Sequence, residues 1–133
     1  LIDHEQSLRG LLPGAEVRLS GSACVPGLDP DDLDFVVLVD DVAAAADTLR
    51  SHYPVLYRDE WRDDWAAFRL PGTPQVDIVV TRPGTIGDKH HRLAWHLLAV
   101  RPDLLKEYRA LKATTEDYEL RKKEFFERVV ALL

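Results

Sequence analysis

A chain of 133 residues, 46% apolar and 30% charged, is long enough for one domain with a real core and has an ordinary soluble globular composition. Its net charge of −6 argues against broad, non-specific nucleic-acid binding, which needs a basic footprint, yet it admits a small anionic substrate carried in with a metal. No run approaches the roughly 18 apolar residues of a membrane span. The single cysteine, Cys24, excludes an internal disulfide framework and a cysteine zinc site, and it points to a reducing, cytoplasmic compartment.

The start, Leu1-Ile2-Asp3-His4-Glu5, lacks the basic region and apolar core of a signal peptide. The chain has no methionine at all, so we expect a piece of a longer chain, with a fused domain or partner chain missing. Residues 2–12 read as a short helix with Leu8, Leu11 and Leu12 on one face and Pro13-Gly14 as the stop. Residues 15–20 alternate, Ala15, Val17 and Leu19 against Glu16, Arg18 and Ser20, which predicts a half-buried strand. A loop of small residues follows over 21–31, with Pro26-Gly27 and Asp29-Pro30. Residues 33–39 are almost all apolar and β-branched or aromatic, as expected of a central strand covered on both faces.

Asp40 or Asp41 then caps an alanine-rich helix that runs to about Ser51 and ends by Pro54. Residues 55–58 and 65–70 are expected strands, joined by an acidic turn from Arg58 to Asp64 that Trp61 and Trp65 flank. After the turn Pro71-Gly72-Thr73-Pro74, residues 75–81 form the next strand. From Asp88 the reading is helical: about 88–100, about 102–113 with Pro102 in its first turn, and about 116–132 behind a capping box Thr114-x-x-Asp117. The order predicts an α/β (α+β) fold, a mixed β-sheet flanked by helices, as a single domain over 1–133. Its core covers about 15–81 and its C-terminal helical layer about 88–133.

The chemistry lies in the strands. Residues two apart on a strand point the same way, so Asp32 and Asp34 project from one face as a pair. Asp77 interrupts a second apolar strand, Val76-Asp77-Ile78-Val79-Val80. If that strand neighbours the first, three carboxylates converge, and three such charges do not stay ionised unaided. Hard divalent cations take oxygen ligands, and Mg²⁺ is commonly held by one or two carboxylates together with substrate phosphates. Two such ions would activate an attacking group and stabilise a leaving phosphate. Gly21-Ser22 directly follows a strand, where glycine allows close backbone approach to a phosphate and Ser22 offers a hydroxyl and an N–H. Other motifs fail: Gly21 to Gly27 lacks P-loop spacing, Asp29, Asp31 and Asp34 lack an EF-hand glycine, and His90, His91 and His96 lack a zinc-protease pattern. Cys24 reads as a small packed residue.

With these motifs the chain resembles the nucleotidyltransferase superfamily that includes DNA polymerase beta. The shared pattern is an apolar residue and Gly-Ser, a spacer, Asp-x-Asp, then a third acid on a later strand: here Leu19-Ser20-Gly21-Ser22, nine residues, Asp32-Leu33-Asp34, and Asp77. The resemblance covers roughly residues 15–80. It implies transfer of a nucleoside monophosphate from an NTP, with Mg²⁺ held by Asp32 and Asp34 and with Asp77 as third ligand or base. Within that superfamily the stretch Gly21-Ser22-Ala23-Cys24-Val25-Pro26-Gly27-Leu28 is similar to the Gly-Ser-x-x-Val-Pro-Gly-Leu of the GrpB-like branch. So is the C-terminal part, Arg101-Pro102-Asp103-Leu104 through Tyr108 and Lys112 to Tyr118, Lys122 and Phe125. The chain departs from that branch at Val76-Asp77-Ile78, where GrpB-like proteins usually carry a His-x-His-like segment and a simpler acidic pattern.

In the last helices Tyr118, Lys122 and Phe125 share one face, as do Tyr108 and Lys112. Two readings stand: a packed stripe with a snorkelling lysine, or a basic wall facing a triphosphate with Tyr108 or Tyr118 against a base or acceptor. Arg92, Arg121 and Lys123 are looser candidates for the same wall. The expected site therefore comprises Asp32, Asp34 and Asp77 for catalysis and metal, and Gly21, Ser22, Lys112, Tyr118 and Lys122 for the nucleotide. The expected activity is Mg²⁺-dependent transfer from an NTP to an unidentified acceptor. The alternatives are a catalytically silent nucleotide-binding or regulatory module, or an antitoxin-type minimal nucleotidyltransferase acting with a partner chain.

Overall fold

The computed structural model describes residues 3–28, 32–114 and 116–133. Asp29, Pro30 and Asp31 of the expected loop, and Thr115 inside the expected capping box, lie outside the described residues. Helix α1 (His4–Leu11) begins where the Asp3 carboxylate accepts the N–H of Gln6, an N-cap that fixes the first turn. Strand β1 (Glu16–Ser20) leads into a single 3₁₀ turn, Gly21–Cys24, and then into β2 (Asp32–Leu38). Asp41, rather than Asp40, caps α2 (Val42–Leu49) through the N–H of Ala44. The edge strand β3 (Val55–Leu56) is short, and a 3₁₀ turn at Arg58–Glu60 occupies part of the acidic segment before β4 (Trp65–Leu70) and β5 (Gln75–Thr81).

The five strands form one mixed sheet in the order β1-β2-β5-β4-β3. β2 and β5 pair in parallel at its centre, while β1 on β2 and β4 on β5 are antiparallel. Because side chains alternate along a strand, the sheet has two chemically different faces. One face carries Val17, Phe35, Val37, Phe68, Ile78 and Val80, which pack with Leu8 of α1 and with Val42, Ala45, Ala46 and Leu49 of α2 into the larger core. The other face carries Asp34, Asp77 and Arg69.

The C-terminal helices stand over that second face. The chain enters through the short α3 (Ile86–Asp88), capped by Thr85, widens into a π-helical stretch at Lys89–Leu93, and continues as α4 (Ala94–Val100). The helix thus begins before Asp88, the start that the sequence suggested. Asp88 is fully buried and is satisfied by both Arg92 guanidinium contacts, at 2.6 and 2.7 Å, and by the N–H of Gly84. Arg92 is thereby committed to a structural ion pair and does not face a substrate. Pro102 opens α5 (Pro102–Lys112), and α6 (Tyr118–Ala131) closes the chain.

The expected capping box does not form. Thr114 Oγ1 donates back to the Leu111 carbonyl at 2.7 Å, and Asp117 is left-handed (φ 53°) with no side-chain bond to the helix. A second core, Val25, Ala94, Leu98, Leu104, Tyr108, Phe125, Phe126 and Val129, ties these helices to the turn after β1. Among the described residues no helix is long and apolar enough to cross a membrane.

Candidate functional site

The sheet register builds the site. Ser20, Asp34, Asp77 and Arg69 are successive partners on β1, β2, β5 and β4, so one row crosses four strands on the face under the C-terminal helices. The expected neighbourhood of Asp34 and Asp77 holds: the two strands are adjacent and parallel, and the two residues are directly paired. Asp32 sits one pleat earlier, opposite Gln75.

Ser20 was expected on the solvent side of β1 with Glu16 and Arg18. It is instead fully buried, and its hydroxyl donates to the His91 carbonyl. That carbonyl lies in the π-helical stretch, where the wider turn offers a backbone oxygen sideways to the sheet. The bond anchors the helical wall to the end of the row.

Asp34 is the most perturbed acid. Burial pushes its carboxyl up to about 6, the charges of Asp77 and Asp32 push in the same direction, and Lys122 and Arg69 oppose them. Its carboxylate lies against Gly21, where a Cβ would stand 2.3 Å from Oδ2; Gly21 itself is left-handed at φ 63°. Glycine at this turn therefore leaves room for the Asp34 side chain, whereas the sequence suggested close approach to a phosphate. Cys24 Sγ donates to the Gly21 carbonyl at 3.2 Å, and burial pushes its thiol up to about 11, so it packs and does not act as a nucleophile.

Asp77 is held differently. Arg69 Nε donates to Oδ1 at 2.7 Å and Nη2 to Oδ2 at 3.1 Å, a two-pronged ion pair, and Gln75 Nε2 stands 3.4 Å from both oxygens. Asp77, the expected third ligand or base, thus has both carboxylate oxygens engaged by Arg69 in this arrangement. Asp32 and Asp34 do fit a hard divalent cation, being a same-face carboxylate pair of which Asp34 is raised by burial and by the neighbouring acids. Among the described residues, no group of three or more His, Cys, Asp or Glu side chains is arranged to hold a metal.

Two clefts open above the row. The first, about 660 Å³, is lined by Ser22, Asp32, Asp34, Asp77, Arg69 and Gln75 from below and by Trp95, Tyr108, Lys112, Tyr118 and Lys122 from the helices. It gathers every expected site residue except Gly21. The second, about 560 Å³, reaches Gly21, Asp34 and Asp77 from the other side, walled by His90, His91, Trp95, Lys123 and Phe126. Asp34, Asp77, Trp95 and Lys122 line both.

The two sequence readings of the last helix divide between its residues. Phe125 is buried in the second core, whereas Tyr118 and Lys122 face the clefts with the ammonium 5.9 Å from the ring centre. Tyr108 is buried and packs edge-on to Trp95; desolvation raises its hydroxyl above the ordinary range, and Tyr118 beside it adds to the rise. Trp61 packs on Phe68 and donates to the Leu56 carbonyl, so it belongs to the core. Arg69, Gln75 and Trp95 escaped the sequence reading. Arg69 carried one available signal, a lone charge inside the otherwise apolar run Trp65-Ala66-Ala67-Phe68-Arg69-Leu70.

No family model and no curated protein matches the chain. Among solved structures it is similar to the crystal structure of the conserved protein GrpB from Enterococcus faecalis. The TM-score is 0.74 at 18% identity, over 97% of this chain and 89% of that one. The arrangement of strands and helices described above is thus a GrpB-like fold.

Proposed function

We propose that the protein is a Mg²⁺-dependent nucleotidyltransferase that moves a nucleoside monophosphate from an NTP to a small acceptor. The observation that carries the reading is the meeting of Asp32 and Asp34 with Ser22, Lys112, Tyr118 and Lys122 in one cleft. Asp32 and Asp34 would hold the ion, which supplies charge to the triphosphate and polarises its phosphoryl oxygens when bound. Ser22 offers a hydroxyl to a phosphate oxygen, and Lys112 and Lys122 offset its negative charge. Tyr118 lines the same cleft and would pack against the base.

The second cleft gives an acceptor its own approach to Asp34 past His90, His91 and Trp95. The acceptor's hydroxyl or amine attacks the α-phosphorus and gives up its proton to solvent, the bond from that phosphorus to the pyrophosphate oxygen breaks, and pyrophosphate leaves. Holding the two partners in separate clefts that share Asp34 and Lys122 supplies the positioning on which such a transfer depends.

Asp34→Asn is expected to abolish Mg²⁺-dependent NTP binding in calorimetry while the circular dichroism spectrum stays that of the parent. Unchanged metal-dependent binding in that variant sinks the assignment. One observation favours a second reading, a nucleotide-binding module without turnover: Asp77 is engaged by Arg69 and is not free to serve as ligand or base. Tight NTP binding with no pyrophosphate release across a broad panel of hydroxyl and amine acceptors would select the module.

A further inference from the structure

We infer that the site takes one divalent cation and not two, and that Arg69 is a fixed positive charge standing where a second ion would act. The inference rests on the nucleotide reading above and refines it. Arg69 and Asp77 are direct partners on adjacent antiparallel strands, so their side chains meet without any swing of the backbone. The guanidinium covers both carboxylate oxygens at 2.7 and 3.1 Å, the planar fork that a lysine does not reproduce. Gln75 adds a donor 3.4 Å from each oxygen.

Asp77 and Arg69 neutralise one another, which leaves Asp32 and Asp34 as the two carboxylates of the cleft open to an ion, with Lys112 and Lys122 on its helical wall. A second ion would have to displace a two-pronged guanidinium from Asp77. Arg69 nevertheless keeps about a third of its side chain exposed, at 35%, and lines the same cleft as Ser22 and Lys112. Its charge therefore faces the space a triphosphate would fill, and it is placed to meet charge developing on the leaving pyrophosphate.

The test counts Mn²⁺ by electron paramagnetic resonance and calorimetry on the whole chain with a non-hydrolysable NTP analogue. The parent should bind one Mn²⁺ per ternary complex. Arg69→Gln frees Asp77 and should add a second ion, or tighten Mn²⁺ at least about fivefold, the lower end of typical site-to-site coupling. The double variant Arg69→Gln/Asp77→Asn removes the neutral pair as a unit. It should again bind one ion per ternary complex, because the carboxylate a second ion would need is gone. Two tightly held Mn²⁺ in the parent overturn the inference, and so does a second Mn²⁺ in the double variant. If the parent binds analogue and Mn²⁺ together, the nucleotide reading stands whatever the count. If it binds neither, that reading fails and this inference falls with it.

Discussion

The two faces of the central sheet are made from the same strands and obey opposite rules. On the face toward α1 and α2, Phe35, Ile78 and Phe68 interlock with Leu8 and Leu49, all of them buried. One pleat over, on the same strands, Asp34, Asp77 and Arg69 place charges under a helical wall that does not close on them. The apolar face provides stability. The charged face gives some of it up, since burial first, and then the charges of Asp77 and Asp32, act against the ionised Asp34. The strand ladder makes the two compatible, because alternation lets one backbone serve both.

The widest way to break this division is at the apolar face. Phe68→Ala should cost about 3–5 kcal/mol in urea unfolding and take the cleft with it. A cost under about 1 kcal/mol would mean that the stabilising face is elsewhere. Next comes the contact between turn and acid: Gly21→Ala meets both a left-handed backbone and the Asp34 carboxylate, and about 2 kcal/mol of destabilisation is expected by the same measurement. Parent-like stability there would show that Asp34 does not lean on the turn.

The charged face is sharpened by a change of opposite sign. The Asp34 carboxyl is raised when folded, from 3.8 to about 6, so its favourable contribution is full below the unfolded value and is lost as pH rises through the folded one. In EDTA, Asp34→Asn should therefore be more stable than the parent by about 3 kcal/mol at pH 8 and close to it near pH 3.5. A destabilised variant at pH 8 would place Asp34 among the stabilising residues.

Much of the charged face was legible because its spacing is local. Period-two alternation put Asp32 and Asp34 on one side, and the apolar company of Asp77 marked it as unusual. What escaped depends on strand order. The partnership of Arg69 with Asp77 follows from β4 lying beside β5, a fact of topology absent from either segment alone. Ser20 was misread because alternation identifies a face without saying what covers it, and here the π-helical stretch does. Thr114 matched a capping pattern, yet its hydroxyl found the Leu111 carbonyl behind it, a local competitor that such residues commonly choose.

The parallel pairing of β2 with β5 has a consequence for how the molecule is made. The chain lays down α2, β3 and β4 between the two strands, so Asp34 and Asp77 become neighbours only after that whole excursion has closed on itself. Contacts of such long sequence separation are slow to form and are lost together. No early hairpin or nascent helix contains the meeting point of these two acids. A ligand that needs both would report the completed topology and not its parts.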